Sequence, residues 1–255
     1  MAWTIEVLFT PAEFRALRER TLARTICVVL DVLRATSTFV TALANGAEAI
    51  IPVAEISEAL ALRGERPDVL LAGERHGLRI GAAQTGGAEF DLGNSPREFT
   101  PAKVAGKTIV STTTNGTRAL RACVGAQRVF VGSFLNLSAT ADCVGRLQAE
   151  RVLIVCAGTG EGAALEDVLA AGALCDVLAT KSRAVATDDS AEIARRVFLN
   201  ARADLSGAVR GARNARRLLA QSELRDDVNF CLQKDQFNLV AASNASGTIR
   251  REGSD

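Results

Sequence analysis

Two rhythms of apolar and polar positions alternate along the first two thirds of the chain. Residues 26–30 form an unbroken apolar run, the mark of a strand buried on both faces. Residues 4–9, 48–53, 69–72, Thr108–Thr112, 129–131 and 152–156 are further short β-rich runs. Stretches with helical spacing separate most of them. These are residues 11–20, capped by Thr10 with Pro11 first; Ala35–Ala44, ended by Asn45-Gly46; and residues 56–63, 117–123 and 137–148. The alternation predicts a three-layer α/β/α fold around a largely parallel or mixed sheet. Two stretches break it. Residues 73–101 are rich in Gly, Thr and Pro and have no period, which predicts a long functional loop. After residue 156 the spacing becomes helical over 165–179, 188–200 and 205–221, giving a helix-rich C-terminal third. Residues 243–255 read as a flexible tail. The whole chain reads as one domain, divisible into α/β halves near 1–105 and 106–242.

Composition narrows the chemistry. Thirty Lys and Arg face 29 Asp and Glu, and aromatics make up 4%, so neither a basic groove nor base stacking is on offer and nucleic acid is not an expected partner. No apolar run is long enough to span a membrane. Glu6 interrupts the first apolar stretch, and no basic segment precedes it, so no signal peptide is expected. The six cysteines have no CxxC spacing and mostly fall in apolar runs, which suits reduced thiols in the cytoplasm. With His76 as its one histidine, the chain cannot build a multi-histidine zinc site. Carboxylates, hydroxyls, arginines and backbone amides are left to do the chemistry.

In a parallel sheet, ligands bind beyond the carboxyl ends of the strands. The run 26–30 is followed by Asp31-Val32-Leu33-Arg34-Ala35-Thr36-Ser37-Thr38. Asp31 can act as nucleophile or Mg²⁺ ligand, and Arg34, Thr36 and Ser37 can hold an anion. Capping of the next helix is the rival role for Asp31. The run 69–72 leads to Gly73-Glu74-Arg75-His76, which adds a carboxylate and an arginine, and Asp91-Leu92-Gly93-Asn94-Ser95-Pro96 is a turn with amide and hydroxyl donors in Asn94 and Ser95. Thr108–Thr112 runs into Thr113-Thr114-Asn115-Gly116-Thr117, a hydroxyl-rich entry to a helix that suits a phosphate or sulfonate. Ser133 and Asn136 follow the run 129–131. Gly158, Gly160 and Ala163 match GxGxx[GA], but helical spacing stands where the second strand of a dinucleotide site belongs. Glu166 and Asp167 are neighbours on a helix and point about 100° apart, so one of them faces a site. Carboxylates with open water positions and arginine forks together suggest metal-assisted phosphoryl chemistry.

With these residues in place, the chain resembles the 2-phosphosulfolactate phosphatase family. The matching strings are LDVLRATST (30–38), GER (73–75), FDLGNSP (90–96), TTNGT (113–117), CAG (156–158), ALEDVLAAGA (164–173) and DVNFCLQKDQF (227–237), in family order. The resemblance implies an α/β/α fold, Mg²⁺ dependence, a homodimer, and hydrolysis of (R)-2-phospho-3-sulfolactate to 3-sulfolactate and phosphate. It makes Asp31 the essential carboxylate, with Glu74 and Asp167 completing the metal shell and Arg34 and the 113–117 loop holding anions. Residues 76–89 are longer than the usual link in the family. A haloacid-dehalogenase mechanism does not transfer, because Leu33 stands where that pattern needs a second acid.

Overall fold

The computed structural model describes residues 3–17, 19–181 and 185–253. Its strands are β1 (Trp3–Leu8), β2 (Thr25–Leu30), β3 (Ala49–Val53), β4 (Leu70–Arg75), β5 (Leu78–Arg79), β6 (Thr108–Thr112), β7 (Arg128–Gly132), β8 (Arg151–Cys156), β9 (Val185–Thr187), β10 (Ala241–Ser243) and β11 (Ile249–Arg251). Among the described residues they form one sheet in the order β5-β4-β6-β3-β11-β10-β7-β2-β8-β1-β9. β4, β6 and β3 are mutually parallel, and so are β7, β2, β8, β1 and β9. The fold is α/β with a mixed, mostly parallel sheet.

Doubly buried strands explain the layers. β2 is buried at every position, sending Ile26, Val28 and Leu30 into one core and Cys27 and Val29 into the other. β8 divides in the same way, with Val152, Ile154 and Cys156 on the first face and Leu153 and Val155 on the second. Helices Leu137–Arg146, Leu165–Lys181 and Asp189–Ala201 supply residues to the first core, and Ala35–Ala44 to the second. Each large aliphatic or aromatic side chain buried in this way contributes about 1.5–3 kcal/mol, so the central strands anchor the loops at their ends.

Three readings are corrected. The tail 243–255 is not free over its described part: β10 and β11 form an antiparallel hairpin inserted between β7 and β3, joining the two parallel sets. The segment 73–101 is structured at both ends. β5 pairs with β4, Leu92 bridges Ala72, and Ile80 and Phe90 are buried together in a third cluster. A strand, β9, does follow helix Leu165–Lys181, but it pairs with β1 rather than β8, and Asp188 after it caps the next helix through Ser190. Its position and that cap leave the GxGxx[GA] match without a dinucleotide site.

Three antiparallel pairings separate β3 from β7, so the two parallel sets run in opposite senses. Both nevertheless deliver their carboxyl ends, β2 and β8 from one set and β4 and β6 from the other, to one cavity.

Candidate active site

That cavity measures about 250 Å³, and Asp31, Arg34, Glu74, Arg75, Asn94, Thr113, Thr114 and Asn115 line it. Seven of the eight belong to the strand-end strings, and Asn94 comes from the 91–96 turn. Gly158, Thr159, Gly160, His76, Gly77, Asn214 and Arg217 also line the cavity.

Asp31 is held by the turn it begins. Its Oδ1 accepts from the Ala35 amide at 3.2 Å, and its own amide donates to Thr36 Oγ1 at 2.9 Å. Among the described residues no hydrogen bond reaches Oδ2, which leaves that oxygen to a ligand. The capping role therefore occupies one oxygen only. Burial is the main force on this carboxyl. With repulsion from Glu74 and Glu166, and against the Ala35 amide and Arg34, it pushes the pKa up to about 7. Helix Gly116–Ala122 starts close above: a Cβ built on Gly116 would stand 2.9 Å from Asp31 Oδ2 and 3.1 Å from Thr113 Oγ1. Only glycine admits this approach. Gly116→Ala should lower kcat/KM by about 10²-fold through displacement of the carboxylate, with Tm nearly unchanged. Wild-type kinetics in that variant would show that the approach is not used.

Glu74 organises the opposite wall. Its Oε2 accepts from the Gly77 amide at 2.7 Å, and its Oε1 accepts from Thr114 Oγ1 at 2.9 Å and the Thr114 amide at 3.1 Å. Arg75 donates to neutral acceptors, Glu74 O and Thr112 Oγ1, at 2.8 and 3.1 Å. Arg34 is buried, donating Nη1 to Asp227 Oδ2 at 2.8 Å and Nη2 to Gly77 O at 2.7 Å. Asn115 Nδ2 donates to Ala157 O and Gly160 O at 3.0 and 3.2 Å, fastening the 113–117 loop to the loop after β8. Among the described residues Thr113 Oγ1 and Asn115 Oδ1 are buried without a partner. Burying such groups unpaired is costly, so both are open to a ligand.

Several expected contacts are placed elsewhere. Thr36 and Ser37 do not line the cavity; their hydroxyls bond the Asp31 amide and Val32 O, because a buried hydroxyl takes the nearest backbone partner. Ser95 Oγ donates to Asp227. Ser133 and Asn136 close a capping box on each other and, with Asn136 also bonded to Val131 O and Leu239 O, hold the loop after β7. Thr117 and Gly116 sit behind the wall; Thr117 faces the neighbouring hollow.

The three-carboxylate shell is not preformed either. Among the described residues no group of three His, Cys, Asp or Glu side chains stands close enough to hold a metal. Asp167 is a clamp: its Oδ1 accepts from the Val32 amide at 2.8 Å and its Oδ2 from the Gly158 amide at 3.0 Å, joining the loops that follow β2 and β8. Glu166 is buried beside it rather than turned away, with Oε1 taken by Asn214 Nδ2 at 2.7 Å and Oε2 without a partner among the described residues. Burial raises the pKa of both, and for Asp167 the charges of Asp31 and Glu166 add to it.

Asn214 and Arg217 were missed. They lie on helix Arg213–Leu219, within the stretch 205–221 that shows only helical spacing in the sequence, and both line the cavity. Asp227 was carried only as part of a family string. Polar residues at helical spacing look alike whether they face water or a cavity, so no local signal marks these three.

The comparisons with known proteins fit this arrangement. The profile of the family described as 2-phosphosulpholactate phosphatase matches residues 12–245. A protein of Symbiobacterium thermophilum is 40% identical over 221 residues, covering 86% of this chain and 91% of its own length. One of Thermotoga petrophila is 42% identical over 213 residues, covering 84% and 86%. One of Clostridium acetobutylicum is 35% identical over 225 residues, covering 88% and 92%. Each is named as a probable 2-phosphosulfolactate phosphatase. With the strand-end strings gathered in one cavity and a match that runs through nearly the whole chain, this protein belongs to the 2-phosphosulfolactate phosphatase family.

Proposed function

We propose that the chain removes the phosphate of (R)-2-phospho-3-sulfolactate, giving 3-sulfolactate and inorganic phosphate. The observation that carries this reading is one cavity in which Asp31 and Glu74 stand with Arg34, Arg75 and Arg217. That substrate bears phosphate, carboxylate and sulfonate groups, and arginine forks are suited to all three. The names of the relatives point to the same reaction.

Mg²⁺ takes one or two carboxylates and fills its remaining positions with water and substrate phosphate. Asp31 and Glu74 line the cavity, and among the described residues Asp31 Oδ2 takes no hydrogen bond, so the donor set fits. When bound, the ion would neutralise phosphate charge and polarise its oxygens. The protein groups supply the positioning. Arg75 and Arg217 have no carboxylate partner among the described residues and bring net positive charge to the anion. Arg34 adds directed N–H donors. Asp31 Oδ2 is the oxygen left for the reacting phosphorus or for a proton of the attacking water. In the metal-free protein burial raises its pKa to about 7, and a bound cation would lower it and leave the carboxylate ionised. Thr113 and Asn115 line the same cavity, and among the described residues Thr113 Oγ1 and Asn115 Oδ1 have no partner.

Phosphate release from 2-phosphosulfolactate, phospholactate and an aryl phosphate, each with Mg²⁺ and with chelator, tests the reading. Metal-dependent turnover that prefers the sulfonate is expected. Equal turnover of phospholactate would remove the sulfonate from the recognition, and turnover unchanged by chelator would remove the metal. The same reading carries a cytoplasmic homodimer. The six free cysteines suit a reducing compartment, and sedimentation equilibrium decides the dimer.

A further inference from the structure

Asp227 touches no part of the cavity, yet it is fully buried on helix Arg225–Cys231 and bonded to the site through Arg34. Its Oδ2 accepts from Arg34 Nη1 at 2.8 Å, and its Oδ1 accepts from Ser95 Oγ at 2.7 Å. Arg97 Nη1 stands 3.7 Å from the same Oδ1. Arg34 Nη2 donates to Gly77 O at 2.7 Å. Both terminal nitrogens of the guanidinium are thus tied to fixed acceptors on different segments. The remaining N–H bonds of the planar fork are left for a ligand.

The consequence is directional. The Arg34–Asp227 pair is buried on both sides and carries no net charge, so Arg34 attracts an anion less from a distance than Arg75 or Arg217 does. What it offers is a fork already fixed in place, with no rotamer freedom to lose when substrate arrives. Ser95 holds the other oxygen of Asp227 and lies in the 91–96 turn that also brings Asn94 to the cavity. One carboxylate therefore sets the register of two cavity walls and of the C-terminal helix.

We infer that Asp227 is a positioning residue for the phosphate-ester site: it fixes the Arg34 guanidinium and, through Ser95, the turn that carries Asn94. The inference rests on the reading that this cavity binds a phosphate ester. The test uses the full chain and compares Arg34→Ala, Asp227→Asn and the double variant. KM and kcat for 2-phosphosulfolactate are measured, with the Kd of inorganic phosphate by calorimetry. Asp227→Asn should raise KM and the phosphate Kd by about tenfold, as expected for a misdirected charged donor, with kcat changed less. The amide oxygen in Asp227→Asn still accepts from Ser95 Oγ, so only the Arg34 branch is lost and the double variant should be no worse than Arg34→Ala alone. Millimolar guanidinium should restore part of the activity of Arg34→Ala and none in the double variant. Effects that multiply, or equal rescue of both, would overturn the inference. Should Asp227→Asn fail to fold, Ser95→Ala keeps the buried ion pair and removes one hydrogen bond from Oδ1. A KM equal to wild type in that variant would equally count against it. A wild-type protein that hydrolyses no ester sinks the proposed activity instead, and the phosphate Kd values then carry the comparison alone.

Discussion

Replacing Asp31 by asparagine should lower phosphate release by about 10³-fold or more, as loss of a reacting group does, and should at the same time stabilise the metal-free protein above pH 7. The stability half of this result follows from the direction of the pKa shift. Burial raises the Asp31 carboxyl from 3.8 to about 7, so the folded chain binds this proton more tightly than the unfolded chain does. Its contribution is fully present below the unfolded value of 3.8 and is lost as pH rises through 7. Asparagine keeps the shape and does not ionise. The Tm of Asp31→Asn minus that of wild type should therefore grow between pH 4 and 7 and level off above. At 1.36 kcal/mol per unit the ceiling is about 4 kcal/mol. Asp167 and Glu166 repel the same charge, so part of the gain will come from their relaxation. Thermal melts in chelator across that range decide it. A difference that does not change with pH would mean that Asp31 titrates as an ordinary aspartate, and full activity would remove it from the chemistry.

The parts of this molecule that were legible in the chain are those that local physics determines. An apolar run such as 26–30 has one stable use, a strand covered on both sides, and strand–helix alternation then places functional residues at carboxyl ends. Asp31, Glu74, Arg75 and the 113–115 residues follow from that logic alone. The C-terminal hairpin did not. β10 and β11 are three residues each, divided by a polar turn, and no period can be read from three residues. Only the pairing partners, β7 and β3, make them strands. Hydroxyls misled in the other direction. Thr36, Ser37, Ser133 and Asn136 have the chemistry of anion donors, but buried side chains satisfy backbone groups first. The long-range pairs Arg34–Asp227 and Glu166–Asn214 span 193 and 48 residues, and nothing in the local pattern of either segment predicts its partner.

Gly172→Ala should destabilise the protein although alanine is the better helix former. Gly172 lies within helix Leu165–Lys181, where the propensity term alone favours alanine by about 1 kcal/mol. Packing opposes it. A Cβ at this position would stand 2.0 Å from Ala194 O, 2.6 Å from Ala194 C and 2.7 Å from Phe198 Cβ. These are backbone and Cβ atoms of helix Asp189–Ala201, and none can swing aside as the tip of a long side chain would. The helices must move apart, and overpacking of a filled core costs about 1–3 kcal/mol and sometimes more. The packing term wins, and a Tm lower by about 5 °C is expected for a chain of this size. The effect should reach the cavity. The first turn of the same helix carries Asp167, whose carboxylate holds the amide of Val32, next to Asp31 in the chain, and the amide of Gly158 in the loop after β8. A shifted helix loosens both loops, so kcat/KM should fall well below the melting range. A Tm at or above wild type would show that the second helix yields without cost. A lowered Tm with intact kinetics would show that the Asp167 clamp does not depend on how closely the two helices approach at Gly172.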